Sequence, residues 1–152
     1  TGSRALAALP RNKSEAELPL VASRGGFVGI YFMPFLSPDG VASAEDVVAH
    51  IEHAIDVCGE DHVGIGTDGG TTGIDDMAAY RARIREEIAE RRAAGIGAAG
   101  ENPDTLPFVE DLSGPAQFHR LIGLLERNGH PAARIEKVMG LNFVNFAREV
   151  WG

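Results

Sequence analysis

The sequence predicts an α/β fold that forms part of a larger parallel sheet or barrel. Two continuous apolar runs of strand length, at residues 26–33 and 62–66, lack the polar alternation of a strand with one face in water. Such runs are typical of parallel strands that are covered on both faces. An amphipathic helix lies between them, in the helix–strand–helix–strand order of α/β proteins. Because two parallel strands cannot form a stable sheet alone in water, the other strands must come from elsewhere.

Helix boundaries follow from capping residues and helix breakers. Ser14 and Glu17 form a capping-box pattern that begins a first helix, which ends at Ser23 before a pair of glycines. Ser43 begins the helix between the two strands, and Gly59 ends it. Four further helices are predicted. Three cover residues 75–94, 131–139 and 141–151. The other begins at Ser113 or Gly114, with Pro115 in its first turn.

Composition and charge narrow the classes of partner. Fourteen Lys and Arg against 22 Asp and Glu give a net charge of −8, and such a field repels the phosphates of nucleic acid. No apolar run is long enough to predict a membrane span. Cys58 is the only cysteine, so no internal disulfide can form, and its apolar neighbours predict a buried core thiol. The cellular compartment stays open, with a cytoplasmic location favoured.

The chain is predicted to form one segment, residues 1–152, without repeats or a linker between domains. It begins with Thr1 rather than Met, and its opening lacks the basic and apolar pattern of a signal peptide. Together with the strands that are missing, this start leads us to expect a piece of a longer protein.

Asp68 is the sharpest candidate for chemistry. It stands at the carboxyl end of the second predicted strand and is followed by glycines that allow a substrate to approach closely. In parallel α/β folds this edge of the sheet carries the active site. A carboxylate there can take a proton from an attacking water or from a metal-bound one. The alternative is an Asp that caps a helix or a turn.

The histidines and one arginine are weaker candidates. His50 and His53 lie three residues apart on a helix, but without a metal-binding motif they are predicted to be packing or surface residues. No histidine is assigned as a ligand. Arg11 lies in a loop just before Ser14, near the edge of the same sheet, where a guanidinium could hold a substrate carboxylate. By spacing alone, an exposed basic turn is favoured for Arg11.

Several stretches of the chain, in order and at matching spacing, resemble the membrane (renal) dipeptidase family of zinc peptidases. They are Ser3–Leu6 leading to Pro10–Asn12, Gly25–Gly29, Ala44–Val47, His50–His53, Asp61–Asp68, Glu110–Leu112 and Gly140–Phe143. The resemblance covers nearly the whole chain except a central part that carries extra residues, so an insertion is predicted at residues 71–109.

This resemblance implies a fold and a reaction. The fold would be a (β/α)8 TIM-like barrel, of which this chain supplies the carboxyl-terminal portion, that is, the last two strands plus helices. The family hydrolyses dipeptides, some with a D-residue at the carboxyl side, and in some members certain β-lactams. Two zinc ions at the carboxyl edge hold the hydroxide that attacks the peptide carbonyl. By the motif match, the family's proton-transfer Asp falls on Asp68, and its Arg that binds the substrate carboxylate falls on Arg11.

The resemblance also implies what lies outside the chain. The family's zinc ligands all precede the position that matches Thr1, so we expect no zinc ligand here and no activity from this chain alone. The expected partners are a dipeptide substrate and the missing amino-terminal half of the barrel, and homo-oligomers stay open. One departure affects activity and substrate preference: Gly70 stands where the family often has a second Asp after Asp68.

Two alternatives to a zinc-dependent dipeptidase remain. One is a non-catalytic relative, or a fragment that uses the surface of the half-barrel for association. The other is a different metal-dependent amidohydrolase on the same barrel.

Overall fold

The computed structural model describes all residues of the chain, Thr1–Gly152, as six helices and two short strands. The strands are β1 (Val28–Ile30) and β2 (Val63–Ile65). The helices are α1 (Glu17–Ser23), α2 (Ala44–Cys58), α3 (Met77–Ala93), α4 (Gln117–Arg127), α5 (Ala132–Glu136) and α6 (Asn142–Trp151). The predicted α/β class is therefore correct, with helix as the main component.

The sheet is parallel, and α2 crosses over between its two strands. Val28 pairs with Val63, and Ile30 pairs with Ile65. Thr1 lies along the other edge of β1, because the Thr1 amino group donates to the carbonyl of Gly29 at 2.8 Å and the N–H of Tyr31 donates to the carbonyl of Thr1 at 3.2 Å. This is the bonding pattern of a parallel neighbour, so the spatial order is Thr1, β1, β2.

Both strands are shorter than the apolar runs that predicted them. Regular pairing covers three residues in each strand rather than 26–33 and 62–66. After β1, the chain enters a 3₁₀ turn at Pro34–Leu36, and before β2 it forms another at Glu60–His62. After β1, burial continues into the turn at Pro34–Leu36, whereas the turn before β2 has no buried residue, so the apolar runs overstate the length of the ladder.

The predicted cap at Ser43 is confirmed, and it forms a full capping box, whereas the predicted capping box at Ser14 forms in the turn before α1, which begins at Glu17. The N–H of Asp46 donates to Ser43 Oγ at 3.3 Å, and the N–H of Ser43 donates to Asp46 Oδ2 at 2.8 Å. The same exchange joins Ser14 and Glu17, over the turn that leads into α1. Each pair satisfies backbone N–H groups that have no partner inside the helix.

Several helix boundaries differ from prediction, since α1 begins at Glu17 rather than Ser14 and α3 covers Met77–Ala93 rather than 75–94. α4 begins at Gln117, because Gly114 has a φ of 74° and cannot be part of the helix, which leaves Pro115 in the preceding turn. α5 ends at Glu136, and a wider turn over residues 137–141 connects it to α6.

The core is built around α2. Val47 and Ile51 are fully buried there, in a cluster of 21 apolar residues that includes side chains from β1, β2 and α4. Cys58 belongs to this cluster, and burial raises the pKa of its thiol, as expected for a core cysteine. Gly64 in β2 is required by close packing, since a Cβ there would lie 2.6 Å from the Phe27 ring. No helix combines the length and the apolar character that a membrane crossing requires.

Candidate functional site

Asp68 lies at the carboxyl edge of the sheet, three residues after β2. Its φ is 57°, in the left-handed region that Asp tolerates better than most residues, and its side chain is exposed. The turn is closed by Thr67, whose Oγ1 donates to the carbonyl of Gly69 at 3.2 Å. Asp68 thus stands exposed beyond the carboxyl end of β2.

Two contacts anchor the loop that carries Asp68. The N–H of Phe32, just after β1, donates to the carbonyl of Thr67 at 3.0 Å. The buried side chain of Gln117, at the start of α4, donates from Nε2 to the carbonyls of Gly70 and Gly114, both at 3.1 Å. Gln117 therefore ties the loop after Asp68 to a helix of the core.

Arg11 lies in the loop between Thr1 and α1, at the same edge. The loop closes on itself through a parallel bridge between Ser3 and Lys13. The Arg11 guanidinium carbon lies 4.6 Å from the centre of the Phe35 ring, a cation–π arrangement that holds the exposed side chain against the turn after β1.

Asn12 fixes the backbone next to Arg11. It is fully buried, and its Nδ2 donates to the carbonyls of Ala7 at 2.9 Å and Phe35 at 2.8 Å. Its Oδ1 accepts from the Tyr31 hydroxyl at 2.9 Å. One side chain thus joins the Arg11 loop to the segment after β1, with its hydrogen-bonding capacity largely used.

His50 extends this network from α2. Its Nδ1 accepts from the N–H of Ser3 at 2.9 Å, and its Nε2 donates to the carbonyl of Leu36 at 2.9 Å, the tautomer that satisfies both partners. Burial lowers the pKa of His50, so the neutral ring is the native form. The prediction that His50 is a packing residue is confirmed.

The charges of Asp68 and Arg11 both influence the pKa of Tyr31. Burial raises the pKa of Tyr31 to about 12, Arg11 acts to lower this pKa, and Asp68 acts to raise it. The two charges therefore act on the same phenol from opposite directions. The structure brings both sequence-predicted site residues to one edge of the sheet.

Two cavities open at this edge, and the segment 71–109 lines both. The larger, of about 580 Å³, is bounded by Thr67 and Gly69 on either side of Asp68 and by side chains of α3. The smaller, of about 280 Å³, is bounded by Arg11 and by residues of α3 and the loop after it. The segment therefore lies beside the candidate residues, whose side chains remain exposed.

The chain offers no set of side chains that fits a metal ion. No three His, Cys, Asp or Glu side chains come close enough together to hold one. Both ring nitrogens of His50 are engaged by the backbone, and His53 and His130 each contact a single glutamate, Glu15 and Glu52, at 2.9 Å.

Sequence reasoning missed the side chains that position the site. Asn12 stood in a stretch of the family resemblance but gave no signal of burial, and Gln117 gave no signal at all. Tyr31 was counted only as part of an apolar run. A single buried polar residue has no periodicity, so only the family pattern around Arg11 could have indicated Asn12.

Comparisons with known proteins point to one family. The family model for membrane dipeptidase (peptidase family M19) matches residues 1–99. A Klebsiella pneumoniae protein named "Uncharacterized protein in pqqA 5'region" is 27% identical over 99% of this chain and 45% of its own length. Dipeptidase ataJ of Aspergillus terreus is 25% identical over 99% of this chain and 29% of its own length.

One solved structure has a similar fold. An amidohydrolase from Pseudomonas aeruginosa superposes with a TM-score of 0.72 at 31% identity, over 98% of this chain and 43% of the other. The chain thus spans less than half the length of each of these relatives.

Proposed function

Because the chain belongs to the membrane dipeptidase family of metallopeptidases, we propose that it is the carboxyl-terminal part of a zinc-dependent dipeptidase. The observation that supports the proposal is that Asp68 follows β2 at the carboxyl end of the parallel strands, while Arg11 stacks on the Phe35 ring in the turn that follows β1. A carboxylate and a guanidinium at that edge are the groups that proton transfer and carboxylate binding require.

The proposal includes a barrel completed by residues outside this chain. Two strands do not form a stable sheet alone, Thr1 already continues the sheet beyond β1, and the relatives are more than twice as long. Zinc would be held by those outside residues, since the side chains present here do not fit a metal ion. When bound, zinc in hydrolases supplies Lewis acidity and lowers the pKa of water.

This chain would supply two further functions. Asp68, exposed above the strands, would accept a proton during attack on the peptide carbonyl and pass it to the leaving amine. Arg11 would bind the substrate carboxylate and so fix which end of the dipeptide lies toward Asp68.

The test is Asp68→Asn in the longer protein, assayed with a panel of dipeptides that includes D-residues at the carboxyl side. We expect kcat to fall 10²–10⁴-fold, because an amide cannot accept the proton. Asp75→Asn, a matched change at an exposed position near the site, should leave kcat unchanged. A fall of less than about tenfold at Asp68 would make its role in proton transfer untenable.

A second candidate is a different metal-dependent amidohydrolase on the same fold. It is favoured by the 31% identity to the Pseudomonas aeruginosa amidohydrolase and by Gly70 at the position of the second family Asp. The dipeptide panel separates the two functions: no turnover of any dipeptide by a zinc-loaded protein would favour this second candidate. Zinc analysis of the longer protein addresses the non-catalytic alternative, which two bound zinc ions would exclude.

A further inference from the structure

We propose that the larger cavity beside Asp68 binds a large apolar side chain of the substrate, which makes dipeptides with Phe- or Leu-sized residues the preferred substrate class. This inference rests on the proposed dipeptidase function. It goes further by assigning a specificity role to the segment 71–109.

The cavity adjoins the turn that carries Asp68. Thr67 and Gly69, the neighbours of Asp68, form one wall, and Phe32, the second residue after β1, lies at the same edge. A substrate bond presented to Asp68 therefore places one of its side chains next to this space. The volume of about 580 Å³ lies within the range of small-molecule pockets.

Part of the lining is apolar. Tyr80 and Phe108 pack with ring centres 5.8 Å apart, and Met77 lies one turn before Tyr80 on the same face of α3. These side chains are half-buried, so part of their apolar surface remains available to a ligand. The apolar side chains around the space include Phe32, Ile74, Met77, Tyr80 and Phe108.

The charged groups at this cavity are already paired. Glu110 accepts from Arg81 at 2.6 Å, and Arg120 donates from Nη1 to the carbonyls of Ser113 at 3.2 Å and Asp111 at 3.4 Å. The amide of Gln117 is likewise bound to backbone carbonyls. A polar substrate side chain would have to displace these contacts, whereas an apolar one only removes apolar surface from water.

The first experiment compares dipeptides in the longer enzyme. The panel contains Ala-Ala and dipeptides in which Phe or Leu replaces Ala at either position, and the readout is the ratio of kcat/KM for the large substrate to that for Ala-Ala. We expect wild-type enzyme to prefer a large substrate at least tenfold, the scale on which apolar pockets discriminate.

Two variants change the cavity in opposite ways. Met77→Ala removes apolar contact, and Gly73→Phe fills the space, since a Cβ at Gly73 meets no atom within 4 Å. Both should lower the preference ratio about tenfold. Glu86→Ala, at an exposed position of α3, is the control. It should leave kcat/KM unchanged for both the large substrate and Ala-Ala. Thermal unfolding of each variant checks that it folds. If either Met77→Ala or Gly73→Phe fails to fold, the other variant still tests the cavity.

The outcomes separate this inference from the proposed function. If wild-type enzyme hydrolyses no dipeptide, the proposed function fails and this inference fails with it. If it hydrolyses Ala-Ala and the large dipeptides equally well and the folded variants leave the ratio unchanged, the specificity pocket is refuted while the dipeptidase function stands.

Discussion

Arg11 is held on one side by the Phe35 ring and on the other by the hydrogen bonds of its neighbour Asn12. Neither contact uses the full set of guanidinium donors, so the side chain keeps donors available for a carboxylate. The loop is thus fixed by buried groups, while the charge itself remains at the surface. Such a division between a rigid backbone and a free charged end favours binding over a purely structural role.

We expect Arg11→Met to remove recognition of the substrate carboxylate. In the longer enzyme, KM for a free dipeptide should rise at least tenfold, the scale of one charge-assisted pair. The same dipeptide with an amidated carboxyl end should be hydrolysed equally by wild type and variant. Arg24→Met, at an exposed arginine, is the matched control. An equal loss on both substrates would show that Arg11 supports structure only.

Because His50 is buried in its neutral form, we expect the free energy of unfolding to decrease in acid. Burial lowers the pKa of His50 in the native state below its usual value of 6.5. In acid, the unfolded chain therefore binds more protons than the native one. The neutral ring stabilises the fold fully above pH 6.5. That contribution is lost as the pH falls below 6.5, because a protonated Nδ1 can no longer accept from Ser3. Asp46 opposes this shift, and His53 adds to it.

The measurement is the free energy of unfolding in urea as a function of pH. It should fall for wild type below about pH 6.5, and the fall should be smaller in His50→Gln, which has a donor and an acceptor but does not titrate. Identical pH profiles for the two proteins would contradict the assignment of a neutral, buried ring.

Residues with a positional signal could be proposed as candidates from the sequence, and isolated buried polar residues could not. Asp68 followed from its place after an apolar run, and Arg11 from its place before a capping box together with the family pattern. Gln117 and Asn12 act through backbone carbonyls that come together only after folding. Those carbonyls belong to residues distant in sequence, so no local pattern indicates them.

At the scale of elements, local capping was predicted well and strand length was not. Ser43 and Asp46 lie three residues apart, and their hydrogen bonds depend on that spacing alone. The end of a strand depends on where its neighbour stops, which the local sequence does not contain. α2 also receives a contact from outside its own turn, since the N–H of Ala44 donates to Asp111 Oδ2 at 3.1 Å.

We expect Ser43→Ala to lower the free energy of unfolding by about 1 kcal/mol, because it leaves an N–H at the start of α2 without its partner. The cap at Ser43 affects the stability of the whole fold because α2 forms the centre of the core. Ser23→Ala, at an exposed serine in the last turn of α1, should change that free energy by less than about 0.5 kcal/mol. Equal effects of the two substitutions in urea titrations would contradict the importance of the capping box.

At the scale of the whole molecule, the proposed function gives this chain side chains that would assist a reaction but not those that would hold the metal. Asp68, Arg11 and the apolar cavity lie at one edge of the sheet, and no set of metal-binding side chains accompanies them. An incomplete sheet and an incomplete site thus occur together. Both are explained if the same outside residues supply the remaining strands and the zinc ligands.

This relation predicts that metal binding and activity appear only in the longer protein. The isolated 152-residue chain should take up no stoichiometric zinc and hydrolyse no dipeptide, and the longer protein should do both. Zinc is measured by mass spectrometry after dialysis, and helical circular dichroism verifies that the isolated chain is folded. Mixing the folded chain with the remaining part of the protein should restore zinc and activity together, since the ligands and Asp68 would then share one edge. Stoichiometric zinc and dipeptidase activity in the isolated chain would overturn the assignment of the ligands to outside residues.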